Sequence, residues 1–330
     1  MTDPEICAAV RQHYGLAVRA VERIDRGSAA LFKLYGSEAA FILKVFQPKF
    51  RADSILREVH VTDFLRQNGI SVPEYIPCRN GDFYFMQNGR IAILQAFIPG
   101  QTREKGCCSK RELLDSARLL AQIVNALEHY PYDDLLPCEI SRYGSAARLL
   151  QAKAACADLM AAAHADAVHG AEICRDLQDR LVMIARVSDA GAFVNTNALT
   201  LKRSHGDYSV MQLLYDGSEI KAVLDFVNAG EVPIAWELIR SYSYMDCTFN
   251  AARLAAYTNE YRRYAEVSMD DLRYMPYLYL DQLLSSTYGY KQYLQTGDEE
   301  LLAFGRWRTE MCRHLIANAG EVSAELVRLA

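Results

Sequence analysis

The chain has 330 residues, half of them apolar and about a quarter charged, which is ample for a buried core and excludes a disordered chain. Its net charge of −5 supplies no basic field for nucleic acid or an anionic membrane surface, so small molecules are the expected partners. The nine scattered cysteines show no paired metal spacing, the N-terminal segment carries Asp3, Pro4 and Glu5 in place of a basic start, and no apolar run reaches about 18 residues. These features predict a reduced, cytoplasmic protein without a signal peptide or membrane span. The adjacent Cys107 and Cys108 are expected to be an inert loop pair.

After a first helix, residues 21–25, 31–35 and 39–46 have strand character and are separated by Arg26-Gly27-Ser28 and Gly36-Ser37, the pattern of an antiparallel meander. Residues 51–68 place Ile55, Val59, Phe64 and Leu65 at helical spacing and stop at Asn68-Gly69. Strand character returns at 82–87 and 91–97 around the turn pair Asn88-Gly89. Beyond Pro99-Gly100 the pattern becomes helical, over 110–129, 144–168 and 171–188, and the lobe boundary is placed there, giving 1–98 and 99–330. One β-rich island, 212–215 and 220–226 around Asp216-Gly217, interrupts this helical half, and helices resume at Ile234.

The island carries the chemistry. It reads His205-Gly206-Asp207, then Gln212, then Asp225-Phe226, so a carboxylate lies on a loop, an amide follows five residues later, and a second carboxylate stands at a strand end. Phosphoryl transfer needs a carboxylate for the acceptor hydroxyl and hard oxygen ligands that hold Mg²⁺ against a triphosphate, and protein kinases meet both needs at these offsets. Each residue alone has a plainer reading, such as a surface amide for Gln212 or a strand cap for Asp225. In the third strand, Lys44 stands among apolar neighbours, and Glu58 lies on the helix that follows, where a strand lysine's ion-pair partner would be. Asp53 and Asp63 on that helix compete for the role. Gly27 and Ser28 form a loop with one glycine where a protein kinase has three; it can still turn tightly and offer backbone N–H groups and a hydroxyl to phosphate.

With these residues in this order, the chain resembles the aminoglycoside phosphotransferase and choline kinase-like superfamily over nearly its whole length, homoserine kinase-type enzymes among its members. The resemblance implies an α+β, bilobal protein-kinase-like fold: an N-lobe antiparallel sheet with one helix for nucleotide, and a mainly helical C-lobe with a catalytic-loop hairpin. It implies Asp207 as the base, Asp225 and Gln212 as Mg²⁺ ligands, and Lys44 on the phosphates of ATP. Gln95 would be the gatekeeper, and the backbones of Ala96 and Ile98 would meet adenine. His205 is expected to fix the loop. Glu237, in Pro233-Ile234-Ala235-Trp236-Glu237-Leu238, is expected to brace it, as the carboxylate of a similar family segment does. Two departures stand out: Gln212 where most of the family has Asn, with the same carbonyl on a longer arm, and Tyr208-Ser209-Val210-Met211 in a loop expected to face the acceptor.

The acceptor would be a small molecule with a hydroxyl: an amino alcohol, an amino acid, a sugar or an aminoglycoside-type antibiotic. Tyr274, Tyr277, Asp281, Leu284 and Tyr288 follow helical spacing, either as ordinary core or as a pocket wall in which Asp281 holds a cationic group. Residues 241–330 hold twelve acids against nine bases, too small an excess to point to a polycationic antibiotic. The alternatives are an atypical protein kinase, which the single-glycine loop and the missing HRD and APE strings disfavour, and a catalytically silent nucleotide-binding module.

Overall fold

The computed structural model describes residues 2–24, 29–189 and 194–330. The chain forms two compact units, one of Met1–Leu136 with Arg203–Glu231, the other of Pro137–Lys202 with Val232–Ala330. The lobe boundary expected at 98/99 falls inside the first unit.

The first unit opens with α1 (Asp3–Tyr14), whose start is set by Thr2 and Glu5 in a reciprocal cap and whose end is Gly15 in the left-handed conformation. Six strands follow: β1 (Ala20–Ile24), β2 (Ala30–Tyr35) and β3 (Ala40–Val45), then, after α2 (Ala52–Gln67), β4 (Tyr75–Ile76), β5 (Phe85–Gln87) and β6 (Arg90–Ala96). They make one antiparallel sheet in the order β1-β2-β3-β6-β4, with β5 also paired to β6. The β5–β6 hairpin turns at Asn88 and Gly89, both at positive φ, as an Asn-Gly turn of this length requires. The strand β4 was not anticipated; it is two residues long and sits between Pro73 and Pro77, too short to show a period.

Alternation along β3 divides its side chains between two cores. Leu43 and Val45 join Phe32, Leu34 and Leu94 against Ile6 and Val10 of α1. On the opposite face, Phe46, Tyr75, Ile91 and Ile93 pack with Ile55 and Val59 of α2. Lys44 is registered opposite Ile93, so the pleat turns it toward α2 and away from solvent.

The unit continues with α3 (Lys110–Leu127), started by a Ser109–Glu112 capping box. After residue 202 the chain re-enters it through β7 (Leu201–Ser204), and the hairpin β8 (Leu213–Asp216) and β9 (Glu219–Val223) forms as expected. The chain leaves again through β10 (Gly230–Pro233).

The second unit is helical: α4 (Ala146–Ala163), α5 (Gly170–Asp189), α6 (Ile234–Asp246), α7 (Ala251–Arg262), α8 (Met269–Leu284), α9 (Tyr288–Thr296) and α10 (Glu299–Arg328). One core joins Cys156 of α4, Ile173 and Leu177 of α5, Tyr290 and Tyr293 of α9, and Leu302 of α10. At the contact of α9 with α10, a Cβ on Gly289 would stand 2.5 Å from the Gly305 Cα, so only glycine lets the backbones approach this closely.

Arg180 on α5 is 1% exposed and donates to the carbonyls of Leu283, Leu284 and Ser286, and to the Thr309 hydroxyl on α10. Its guanidinium therefore supplies donors to carbonyls where α8 ends, a place where helix geometry leaves acceptors without partners. Arg180→Ala should lower the unfolding free energy by about 3 kcal/mol or more, since several buried carbonyls lose their donor at once. Chemical denaturation followed by circular dichroism checks this, and a change under about 1 kcal/mol would contradict the role.

Candidate active site

Lys44 is the centre of the site. Its Nζ lies 3.0 and 3.3 Å from the two Glu58 carboxylate oxygens and 2.8 Å from Asp225 Oδ1. Glu58 is wholly buried and also accepts a 2.7 Å hydrogen bond from the Tyr75 hydroxyl. The competing acids on α2 point elsewhere: Asp53 pairs with Arg51 and Asp63 with Arg66, both at the surface. Burial alone would push the Lys44 ammonium down, but the Glu58 and Asp225 carboxylates outweigh it and hold its pKa above the usual lysine value. Lys44 is therefore charged at neutral pH, as a phosphate-binding lysine must be.

Two residues absent from the sequence expectation support this cluster. Tyr75 belongs to the short strand β4 and donates to Glu58 Oε1, the oxygen that also accepts the shorter Lys44 bond. Arg57, the α2 neighbour of Glu58, donates to the Asp134 carbonyl at 2.5 Å and the Val227 carbonyl at 3.0 Å, tying the helix to the segment just after Asp225. Neither had a legible motif in the sequence.

The loop bearing Asp207 is held by the residues on either side of it. His205 is fully buried, with Nε2 2.8 Å from the Leu224 carbonyl and Nδ1 accepting the Asp207 backbone N–H at 3.2 Å. These two contacts admit one tautomer, protonated on Nε2, and they occupy both nitrogens, so the histidine orders the loop. Its ring packs on Phe226 at 4.5 Å. Gly206 has φ +75°, and a Cβ there would sit 2.1 Å from the Asn228 carbonyl oxygen. Tyr208 is buried and donates to the Ser116 carbonyl at 3.0 Å, which anchors the far side of the loop on α3. Between these fixed residues the Asp207 side chain is partly exposed.

Gln212 ends a short 3₁₀ turn, and its carbonyl accepts the Leu224 N–H at 2.8 Å. Leu213 is registered with Val223, so the hairpin brings Gln212 beside the segment that carries Asp225. Asp225 has φ 66° and ψ 64°, left-handed for a non-glycine residue and unfavourable by about 1–2 kcal/mol. Its bond to Lys44 and the Arg57 bond to Val227 hold the strained segment in place. One carboxylate and one amide carbonyl are hard oxygen donors, a partial set that suits Mg²⁺ when phosphate oxygens and water complete the shell. Among the described residues no group of three or more His, Cys, Asp or Glu side chains is arranged to hold a metal.

At the nucleotide end, Gly27 and Ser28 lie outside the described residues. Gln95 of β6 is registered with Ile42 and Tyr75, two residues from Ile93, and so shares the Lys44 face of the sheet. The Ala96 N–H is spent on the Glu74 carbonyl at 2.8 Å and that of Phe97 on the Ala40 carbonyl at 3.0 Å, while the Ile98 N–H has no backbone partner among the described residues.

The remaining candidates lie in the helical unit. Glu237 is fully buried in the first turn of α6. Tyr277 and Asp281, one turn apart on α8, line a cavity of about 240 Å³ with residues of α5 and α10. Burial pushes the Asp281 carboxyl up to about 6, against the pull of the Gly144 N–H, 3.0 Å away, and of Arg148. Tyr288 does not continue this face. The helix α8 stops at Leu284, and Tyr288 opens α9 as an exposed residue with its ring against Phe304. Helical spacing was extended across a break that Ser285 and Ser286 make and Arg180 caps.

A buried lysine–glutamate pair on a strand and helix, a fixed HGD loop, and a carboxylate with an amide on one hairpin define a phosphoryl-transfer enzyme. The chain belongs to the phosphotransferase enzyme family, whose model matches residues 20–267, and so to the kinases that phosphorylate hydroxyl groups of small molecules. No curated protein matches its sequence at a significant level. Among solved structures, a spectinomycin phosphotransferase bound to ADP and spectinomycin is similar at 11% identity, with 98% of this chain and 99% of that one covered and a TM-score of 0.68. An amicoumacin kinase bound to AMP-PNP and Ca²⁺ is similar at 13% identity, covering 95% and 94%, with a TM-score of 0.65. A microcompartment-associated aminopropanol kinase is similar at 15% identity, covering 99% and 100%, with a TM-score of 0.63. These likenesses establish the α+β kinase-like fold.

Tyr75→Phe removes one charge-directed hydrogen bond from buried Glu58 and should cost about 1.5–3 kcal/mol of stability, with a raised KM for ATP. Thermal unfolding and ATP titration check this, and unchanged values for both would remove Tyr75 from the site. Gly206→Ala should be more damaging, because the left-handed backbone alone costs about 1–2 kcal/mol and the added carbon meets a carbonyl. Full activity in Gly206→Ala would contradict the loop geometry.

Proposed function

We propose that the protein transfers the γ-phosphoryl group of ATP to a hydroxyl of a small molecule in the cytoplasm, with Asp207 accepting or orienting the acceptor proton. The observation that carries this is the Lys44 ammonium held between Glu58 and Asp225, with Asp207 on the loop that His205 fixes and Gln212 at the foot of the hairpin that leads to Asp225. In this reading residues 1–98 serve nucleotide, and residues 99–330 supply the catalytic loop, the metal ligands and the acceptor side. Lys44 binds the ATP phosphates, and Glu58 keeps it there. The Ala96 carbonyl and Ile98 N–H address adenine below the Gln95 gatekeeper, and Gly27 with Ser28 close over the phosphates. Asp225 and Gln212 would hold Mg²⁺, which when bound neutralises charge on the phosphates.

In a loose phosphoryl transfer the base mainly positions the hydroxyl until late in the reaction, which a carboxylate held on a fixed loop can do. His205 is already committed to Leu224 and the Asp207 amide, which leaves the carboxylate as the proton acceptor on this loop. Glu237 serves as the buried brace. The acceptor is an amino alcohol, amino acid, sugar or aminoglycoside-type antibiotic; the similar structures include enzymes named for antibiotics and for a small amino alcohol. Tyr277 and Asp281 mark the acceptor side in the helical unit.

Asp207→Asn should bind ATP as the wild type does but lose about 10²–10⁴-fold in kcat. Asp225→Asn, chosen because asparagine tolerates the left-handed backbone, should instead lose Mg²⁺-dependent ATP binding. The assay is transfer from labelled ATP into a metabolite extract, with products identified by mass spectrometry. Wild-type turnover by Asp207→Asn would overturn the assignment.

A further inference from the structure

Arg308 of α10 is a buried cation that the protein does not neutralise. It is 8% exposed; Nη2 donates to the Gln282 carbonyl at 3.2 Å, and Nε is enclosed without an acceptor among the described residues. No carboxylate among the described residues pairs with it. Its Cζ lies instead 5.5 Å from the centre of the Phe304 ring, one helical turn earlier. The charges nearby add to the excess. Arg180 donates only to carbonyls, the Thr309 hydroxyl and the Cys312 thiol, all of them neutral. Arg240 of α6 stands 5.0 Å from the centre of the Tyr244 ring, and the Tyr244 phenol is also an electrostatic neighbour of Arg308. Burial pulls the Arg308 pKa below the usual arginine value, yet a guanidinium stays protonated at neutral pH.

Beside this cation runs a chain of rings that opens to the surface. Phe304, Trp307 and Arg308 share one face of α10. The Phe304 ring is 5.7 Å from Trp307, Trp307 is 5.1 Å from Tyr244, and Tyr288 at the start of α9 is 6.2 Å from Phe304. Tyr244 is buried, Phe304 and Trp307 are half-buried, and Tyr288 is 52% exposed. Aromatic surface left open beside a fixed charge is the composition of a ligand site. A cationic ligand would meet Arg308, Arg180 and Arg240. A neutral one would leave the Arg308 charge uncompensated, and a buried charge without a counter-ion is costly. A compact, strongly hydrated anion such as phosphate would leave the rings unused. A carboxylate matches the planar fork of a guanidinium, and a flat apolar body attached to it matches the rings.

We infer that Arg308 and the open rings of α9 and α10 form a site for a small aromatic carboxylate, its carboxylate on the guanidinium and its ring against Phe304 and Tyr288. Nη1 of Arg308 has no acceptor among the described residues and is not enclosed, so it is the nitrogen that meets the ligand. Nη2 carries a second hydrogen beyond the one given to Gln282, which allows a two-point grip on the carboxylate. All of these residues belong to the helical unit, so the site is complete within it. None of them is a residue proposed for ATP, Mg²⁺ or the acceptor proton, and the site stands whether or not the chain transfers phosphate.

The test uses the full chain and benzoate, followed by calorimetry and ligand-observed NMR. The wild type should bind benzoate about tenfold or more tightly than benzylamine, benzyl alcohol or inorganic phosphate. Arg308→Gln keeps a donor for the Gln282 carbonyl and should bind benzoate about tenfold or more weakly, with circular dichroism confirming its fold. Tyr288→Ala alters an exposed ring and should weaken binding about threefold. Absence of benzoate binding by the wild type, or equal binding by Arg308→Gln, overturns the inference. Equal affinity for benzylamine or benzyl alcohol removes the part played by charge, equal affinity for phosphate removes that of the rings, and each overturns it as well. If Arg308→Gln does not fold, Tyr288→Ala decides, and wild-type affinity in that variant overturns the site.

Discussion

One ammonium group shared by two carboxylates organises the first unit. Lys44 comes from the sheet, Glu58 from α2, and Asp225 from the end of the β8–β9 hairpin, so one cation links three separate parts of the chain. A buried ion pair adds little net stability, because desolvation offsets most of the attraction, but it imposes a strong geometric condition: removing any partner leaves an uncompensated charge. Helix, strand and hairpin must therefore meet at one point. Tyr75 and Arg57 reinforce this, the first by saturating Glu58 and the second by bonding the carbonyl two residues past Asp225.

That condition explains the strain at Asp225. A left-handed aspartate is unfavourable on its own, and here it is held by the bond of its side chain to Lys44 and by the packing of Phe226 beneath His205. The same histidine holds the Asp207 amide, so Asp225 and Asp207, the carboxylates proposed for metal and for the acceptor proton, are set by one buried ring. Rigidity at these positions suits a reaction in which the protein contributes placement and charge more than covalent chemistry.

The helical unit follows a different logic. Its buried polar groups serve as fasteners: Arg180 closes the end of α8, and Asp281 holds Gly144 at the entry to α4. Asp281 does this at the edge of an apolar cavity, where burial raises its pKa against the pull of the Gly144 N–H and Arg148.

The sequence alone determined most of the elements and the order of the candidate site residues. Periodicity, the Asn88-Gly89 turn and the short-range pattern His205-Gly206-Asp207, Gln212, Asp225 are local, and local sterics and turn chemistry decide them. The role of His205 as a loop fastener was legible for the same reason, since Asp207 two residues on already filled the place of the base. The choice of Glu58 over Asp53 and Asp63 was open until the helix face that packs on the sheet was known, because burial is a non-local property that three acids on one helix do not reveal. Tyr75 and Arg57 were invisible, as their partners lie 17 and up to 170 residues away. The end of α8 was misjudged: helical spacing continues through Ser285 and Ser286 to Tyr288, and only an arginine from another helix shows that the chain stops and turns there. What tertiary structure decided was which charges lose their water, and that selected the working residues from their equals in the sequence.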